Sequence, residues 1–189
     1  MKVPPHARCW LEVDAAALAH NAAHVRERAG VPLTAVVKAN GYGLGAAEVA
    51  RAALAGGAAS VAVATAAEAQ TLRAAGITAP IQILGALLPG EIELAAAAEA
   101  AITLHEPADL LRVREASLRV GRPLEVHLAV DVGMRRHGVA PEDALGVLGA
   151  AQRDPALRVE GVMTHLPNAA GSDLELTRSR VARFAQRRA

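Results

Sequence analysis

The sequence predicts an α/β fold in which parallel strands alternate with helices. Short apolar runs without polar alternation recur along the chain, as is typical of parallel strands that are buried on both faces. A stretch with apolar residues at helical spacing follows each run, and glycine or proline residues separate successive units. Six strand–helix units of this kind follow an opening segment at residues 1–30.

The six predicted strands share an uninterrupted apolar character, and a predicted helix follows each of them. The strands are Leu33–Val37, Ser60–Ala64, Ile81–Leu84, Ala101–Leu104, Leu124–Val130 and Val159–Met163. The helices are Ala46–Ala55, Ala66–Ala75, Glu91–Ala98, Pro107–Val120, Pro141–Ala151 and Asp173–Arg187.

The opening segment predicts one more strand and one more helix. Arg8–Val13 alternates weakly between apolar and polar residues, which indicates a short strand. Asp14 is an N-cap candidate for a helix that Gly30 and Pro32 end. Residues 1–30 are therefore expected to form an opening strand and helix.

The composition limits the function classes that are open to this chain. Its 189 residues can bury one sizeable core, and a formal net charge of +1 gives no electrostatic reason to expect nucleic acid or membrane as a partner. Aromatic residues make up 2% of the chain, so base-stacking platforms are not expected. Cys9 is the only cysteine, and the N-terminus lacks the apolar run of a secretory signal. We therefore expect a cytoplasmic protein without an internal disulfide.

Lys38 stands out because it ends the first predicted strand in a chain whose basic residues are otherwise arginine, apart from Lys2. Arginine supplies positive charge as well as lysine does, but it cannot form a Schiff base with an aldehyde, so a lysine at a strand end indicates that chemistry. A solvated surface charge is the alternative. Tyr42 follows in a turn whose glycines let the backbone come close to a ligand.

Three motifs resemble, in the right order, those of the alanine racemases, which are pyridoxal-phosphate enzymes built on a TIM-type barrel. The first is VVKANGYGLG at residues 36–45, the second is VDVGMRRHG at residues 130–138 and the third is GVMTH at residues 161–165. The sequence LEVD at residues 11–14, with Asn21, also resembles the opening of that family.

The resemblance implies a role for each residue that matches a motif. Lys38 would hold the aldehyde of pyridoxal 5'-phosphate as an imine and then act as a base on the α-carbon of the substrate. Tyr42 would contact the cofactor phosphate, and Leu84 would lie near the cofactor ring. A turn aromatic that packs on a helix is the alternative for Tyr42, and any buried strand-end leucine would look like Leu84.

Arg136 and His165 complete the residues that the resemblance implicates. Arg136 would donate a hydrogen bond to the phenolic oxygen of the cofactor, and His165 would stack beside the ring. Ala129 stands where the family often has a modified lysine that positions the arginine, so another group or ion would have to orient Arg136, and Asp131 is a local candidate. The loop after His165 also departs from the family pattern, which suggests a broader amino-acid range.

The other histidines carry no predicted site. His127 lies within an apolar strand and is expected to be structural. The others show no metal-ligand spacing to one another, so no metal site is predicted. They are His6, His20, His24, His105 and His137.

The resemblance implies that residues 1–189 form the N-terminal TIM-type barrel domain of this family. Six βα units are fewer than the eight of a closed barrel, and the C-terminal β domain of the family has no counterpart, so we expect an incomplete barrel. An open, doubly wound sheet of six strands would give the same order of elements and is the alternative.

The expected activity is the interconversion of L- and D-alanine, which would supply D-alanine for the cell wall. In the family the second base is a tyrosine from the C-terminal domain of a partner subunit, which implies a homodimer of the full-length form. Because Tyr42 is the only tyrosine here, this chain alone is not expected to assemble a two-base racemase. The alternatives are a broad-specificity amino-acid racemase, a decarboxylase with the same barrel, a pyridoxal-phosphate carrier or homeostasis protein, and a remnant without catalysis.

Overall fold

Within the described residues, the fold is built on one sheet of six parallel strands. The computed structural model describes residue 6, residues 8–172 and residues 174–185. The strands are β1 (Thr34–Val36), β2 (Ser60–Val63), β3 (Ile81–Ile83), β4 (Ala100–Leu104), β5 (Leu124–Ala129) and β6 (Leu157–Met163). The helices are α1 (Ala15–Ala29), α2 (Lys38–Tyr42), α3 (Ala46–Ala55), α4 (Ala66–Ala74), α5 (Glu91–Ala97), α6 (Ala108–Val120), α7 (Ala144–Arg153) and α8 (Leu174–Ala185).

The strands lie in the order of the sequence, β1-β2-β3-β4-β5-β6, and each pairs in parallel with the next. A doubly wound sheet reverses its strand order at a switch point, and this sheet has no reversal within the described residues. Consecutive order is the winding of a TIM-type (β/α) barrel, and it confirms the predicted fold class over the open, doubly wound alternative. All six strands therefore end at the same edge of the sheet.

The six predicted strands from residue 33 onward and the helices that follow them are confirmed within a few residues of their bounds. The largest shift is in α7, which begins at Ala144 because Pro141–Asp143 forms isolated turns, with the Asp143 amide donating to the Ala140 carbonyl at 3.0 Å. The first residue of the last predicted helix, Asp173, and its end at residues 186–187 lie outside the described residues.

The predicted opening strand at Arg8–Val13 is wrong. These residues have no regular secondary structure, and no strand of the described chain pairs with them. The indole of Trp10 is 59% exposed, and its Nε1 donates to Glu12 two residues away at 2.8 Å. An extended segment becomes a strand only when a neighbour accepts and donates its backbone hydrogen bonds, and alternation alone does not supply one.

The opening helix is confirmed, together with its caps. Asp14 Oδ1 accepts hydrogen bonds from the amides of Ala16 at 2.9 Å and Ala17 at 3.0 Å, so it satisfies two of the free donors of the first turn. Gly30 ends the helix in the left-handed region, with φ at 65°.

The core is aliphatic, as the low aromatic content predicts. Every residue of β4 is buried, and the largest fully buried side chains come from the strands and from α4. They are Leu72, Ile81, Ile83, Leu104 and Leu128. Strands that are buried in this way need a packed layer on each face of the sheet. The helices form that layer on the outer face of a barrel-type sheet.

We expect Gly56→Ala to destabilise the fold, because α1 and α3 approach each other at this residue. A β-carbon at Gly56 would overlap the carbonyl oxygen of Ala19 in α1. Moving the helices apart should lower the free energy of unfolding by about 1–3 kcal/mol, as overpacking does. Urea unfolding followed by circular dichroism measures the change.

Gly146→Ala is the matched control, because a β-carbon at Gly146 in α7 meets no atom within 4 Å. Its unfolding free energy should equal or exceed that of the wild type by up to ~1 kcal/mol, from helix propensity. Equal stability of Gly56→Ala and Gly146→Ala would contradict the close approach of α1 and α3.

Candidate active site

A cavity of about 340 Å³ opens at the carboxyl edge of the sheet. Residues at the ends of all six strands line it, together with the loops that follow β1 and β5. The lining residues are Val36, Lys38, Tyr42, Ala64, Leu84, Gly85, His105, Ala129, Val130, Met134, Arg136, His137, Met163 and His165. In parallel α/β proteins this edge is where ligands bind. The five residues that the sequence singled out, Lys38, Tyr42, Leu84, Arg136 and His165, thus lie around one cavity.

Lys38 begins α2, which is a left-handed turn and not a regular right-handed helix. Ala39, Asn40 and Gly41 have φ values of 52°, 54° and 64°, and Tyr42 follows at 56°. Residues other than glycine rarely adopt this region, so the three non-glycine residues of this turn need support from the surrounding structure. The turn brings Lys38 and Tyr42, which are four residues apart, to the same cavity.

Contacts on the α3 side of the turn supply part of that support. Asn40 Oδ1 accepts a hydrogen bond from the amide of Ala46, the first residue of α3, at 3.0 Å. Gly41 is buried, and a β-carbon there would lie 3.0 Å from Val49 Cγ2 in α3. The glycine at this position is therefore required by the closeness of α3 as well as by its positive φ.

The loop after β5 carries Arg136 and is organised by Asp131. The Asp131 carboxylate accepts hydrogen bonds from the amides of Gly133 at 2.7 Å and Arg136 at 3.3 Å. Partial burial of Asp131 acts to raise its pKa, but the amide donors of this loop outweigh burial and lower the pKa below its usual value. Asp131 is therefore held in the charged form and fixes the backbone on which Arg136 stands.

The guanidinium of Arg136 is not held by Asp131. Its side chain is exposed, and no partner within the described part of the chain takes a hydrogen bond from it. Ala129, which stands where the resemblance implies a positioning lysine, is buried and lines the cavity. The expectation that Asp131 is the local partner of Arg136 thus holds for the backbone of Arg136 only.

His165 and Leu84 follow the ends of β6 and β3. Thr164, beside His165, donates from its Oγ1 to the carbonyl of Val130 at 2.7 Å, which ties the end of β6 to the end of β5. The His165 ring is exposed, and Leu84 is half-buried. Both side chains are therefore accessible from the cavity.

His105 and His137 also line the cavity, although no role was predicted for either of them. Their ring centroids lie 5.0 Å apart. His105 Nε2 lies 3.0 Å from the carbonyl oxygen of Leu84, and because a carbonyl only accepts, Nε2 carries the proton. Nδ1 is then a lone-pair acceptor, which is buried without a hydrogen-bond partner in the described chain. The signal available in the sequence was the position of His105 directly after a strand.

Burial lowers the pKa of both His105 and His127. For His105, the neighbouring His137 lowers it further, and Asp109 opposes the shift. For His127, on β5, the carboxylates of Glu160 and Glu125 oppose the effect of burial. His127 also fills the space over Gly161, where a β-carbon would lie 3.1 Å from its Nδ1. This contact agrees with a structural role for His127.

The described part of the chain has neither a cluster of metal-ligating side chains nor a helix suited to a membrane. In residues 6, 8–172 and 174–185, no three histidine, cysteine or acidic side chains are grouped as metal ligands would be. Over the same residues, none of the helices combines the length and the apolar character that crossing a bilayer requires.

Six parallel strands wound in consecutive order, with the candidate polar groups at their carboxyl ends, define a protein of the (β/α)-barrel class. Residues 13–189 match the family model described as the N-terminal domain of alanine racemase. This chain therefore belongs to the alanine racemase family.

Individual relatives agree with this family. The chain is 40% identical over 182 residues to an alanine racemase of Synechocystis, and the match covers 95% of this chain and 49% of the relative. A crystal structure of alanine racemase from Bacillus anthracis with bound L-Ala-P superposes with a TM-score of 0.85 at 35% identity, covering 97% of this chain and 48% of that one. A histidine racemase from Leuconostoc mesenteroides superposes with a TM-score of 0.87 at 26% identity, covering 96% and 49%. The chain spans about half the length of the curated relatives that it matches.

Acidification is expected to lower the free energy of unfolding through His105 and His127. Because their pKa values are lowered in the folded chain, the unfolded chain binds more protons below about pH 6.5, the ordinary pKa of histidine. Their contribution to stability is complete above that pH and is lost as the pH falls toward the folded pKa values. Each contributes a slope of at most about 1.4 kcal/mol per pH unit, which urea unfolding at a series of pH values measures.

His105→Phe and His127→Gln separate the two contributions. Each substitution should reduce the pH slope of the unfolding free energy, whatever it does to stability at neutral pH, and the double variant should reduce it most. A wild-type slope that persists in the double variant would show that other groups cause it.

Proposed function

We propose that residues 1–189 form the barrel domain of a pyridoxal 5'-phosphate-dependent amino-acid racemase that acts on alanine. The observation that carries this proposal is the convergence of Lys38, Tyr42, Leu84, Arg136 and His165 on one cavity at the carboxyl edge of the sheet. Membership of the alanine racemase family supports it.

The side chains around the cavity fit this cofactor by their chemistry. The Lys38 amine suits an aldehyde, the Tyr42 hydroxyl suits a phosphate, and the Arg136 guanidinium suits a phenolic oxygen. His165 offers an imidazole face to an aromatic ring, and Leu84 offers apolar surface. The cavity volume of about 340 Å³ lies within the usual range for small-molecule sites.

The bound cofactor would supply an electron sink that acidifies the α-hydrogen of an amino acid. The chain's own residues would do the rest. The ε-amine of Lys38 would hold the cofactor at the end of β1, and the same amine would be the base that moves the α-proton on one face of the substrate. Arg136 would keep the phenolic oxygen ionised, and its exposed guanidinium is free to reach a ligand in the cavity.

The partner and location proposals rest on the family resemblance and the composition. A base on the opposite face of the substrate would come from a partner subunit, which favours a homodimer. D-Alanine for the cell wall would be the product. A single cysteine agrees with a cytoplasmic location.

A broader amino-acid racemase is the second candidate function. The structural neighbour from Leuconostoc mesenteroides is named a histidine racemase, so this barrel also serves a larger substrate there. The sequence Leu166-Pro167-Asn168, directly after His165, departs from the pattern that the resemblance implies. Incubation with pyridoxal 5'-phosphate and either enantiomer of alanine or histidine in deuterated water distinguishes the candidates, because a base on one face exchanges the α-hydrogen of the accepted enantiomer.

Lys38→Ala is expected to abolish covalent attachment of pyridoxal 5'-phosphate. The protein is mixed with the cofactor and reduced with borohydride, and the peptide that carries residue 38 is examined by mass spectrometry for the added pyridoxyl group. The reason is that a primary amine at the strand end is the group that binds the aldehyde.

Lys2→Ala is the matched control, because Lys2 is the only other lysine of the chain. It should keep the modification at Lys38 at the wild-type level. Equal labelling of the wild type and Lys38→Ala, or labelling confined to position 2, would contradict the proposal. Labelling at Lys38 without exchange of the α-hydrogen of either enantiomer of alanine or histidine would favour a cofactor-binding protein without racemase activity, because one base on one face would already exchange the enantiomer that it reaches.

A further inference from the structure

The carboxylate of Glu68, in the first turn of α4, accepts hydrogen bonds from two different loops. Its Oε2 accepts from the amides of Ala64 at 2.7 Å and Thr65 at 3.2 Å, in the loop before its own helix. Its Oε1 accepts from the amide of Ala39 at 2.6 Å, in the loop after β1. Thr65 completes a capping box, because its Oγ1 accepts from the Glu68 amide at 3.2 Å.

Comparable carboxylates elsewhere on this edge of the sheet accept backbone hydrogen bonds only from the loop that precedes their own helix. Asp109 in α6 accepts from the amides of His105 at 2.7 Å and Glu106 at 3.1 Å, which both directly precede its helix. Glu91 in α5 accepts from the amide of Leu88 at 2.8 Å in the same way. Capping is therefore the common role of these residues, and the bond from Glu68 to the preceding βα loop is an addition to it.

The added bond falls on the residue next to Lys38. Ala39 is the first residue of the left-handed turn, and as a non-glycine residue with φ at 52° it adopts a conformation that is rarely stable without support. Asn40 holds the turn on the α3 side through the Ala46 amide. Glu68 holds it on the α4 side, so the turn is fixed between two helices.

We infer that Glu68 is a positioning residue, which holds the left-handed turn so that Lys38 and Tyr42 both face the cavity. The roles of Lys38 and Tyr42 in this inference rest on the proposed function. The restraint on the turn rests only on the hydrogen bonds described above. Glu68 does not line the cavity, but it would help to place the amine that binds the cofactor.

The geometry requires a carboxylate at position 68. Both oxygens accept from amide N–H groups, so an amide side chain would have to turn its NH₂ group toward a donor at one end. Glu68→Gln therefore loses one of the two connections in either orientation, and the orientation that keeps the two bonds from Ala64 and Thr65 gives up the single bond from Ala39. Glu68→Asp is shorter by one methylene and should keep the cap while failing to reach Ala39.

The first test measures backbone amide exchange in the full chain without any ligand. Peptides that cover residues 38–43 should exchange about tenfold faster in Glu68→Gln and Glu68→Asp than in the wild type, because a hydrogen bond to a charged acceptor has been lost. Glu91→Gln, which loses a cap on a different loop, should leave these peptides unchanged. Unchanged exchange in both Glu68 variants would overturn the inference.

The second test measures the rate at which Lys38 becomes labelled by pyridoxal 5'-phosphate and borohydride. At a temperature where all variants are folded, the rate should fall about tenfold in the Glu68 variants and stay at the wild-type value in Glu91→Gln. Faster exchange with an unchanged labelling rate would show that Glu68 holds the turn without positioning Lys38, which also overturns the inference. If the wild type is not labelled at Lys38, the proposed function fails, and the exchange measurement alone decides whether Glu68 holds the turn.

Discussion

Parallel pairing between strands that are consecutive in sequence is the constraint on which the rest of this structure depends. It forces every strand to end at the same edge of the sheet, so six separate loops meet there although they are distributed over most of the chain. The cavity is the direct result, and each candidate side chain reaches it from a strand end or from the loop that follows one. The aliphatic core beneath this edge takes no part in binding, and its function is to hold the strands in register.

Carboxylates then keep the loops at this edge in place. Parallel strands end with unsatisfied amides, and the helices that follow begin with more of them, so each βα loop needs acceptors. Glu68, Asp109 and Asp131 provide these acceptors from within the loops or from the first turn of the next helix. The charge on each residue is used for backbone hydrogen bonding, which leaves the cavity with Lys38 and Arg136 as its cationic side chains among the described residues.

Much of this arrangement could be predicted from the sequence, because it depends on local signals. Unbroken apolar runs identified the six strands, and motifs at three strand ends identified Lys38, Arg136 and His165. The strand at Arg8–Val13 was wrong because alternation cannot show whether a pairing partner is present. The roles of His105 and Glu68 depend on contacts between loops distant in sequence. Their local signals, a strand-end histidine and a Thr-x-x-Glu capping box, do not show which loop lies beside them.

The exposed position of Trp10 has a practical consequence for spectroscopy. The single tryptophan of the chain lies in the irregular opening segment, with a solvated indole, while the single tyrosine, Tyr42, lies at the cavity. Indole emission should therefore report the surroundings of the N-terminal segment and change little when the aliphatic core melts. Near-ultraviolet dichroism of the phenol should report the turn beside Lys38. The two chromophores thus monitor two separate regions of the molecule, and neither monitors the core directly.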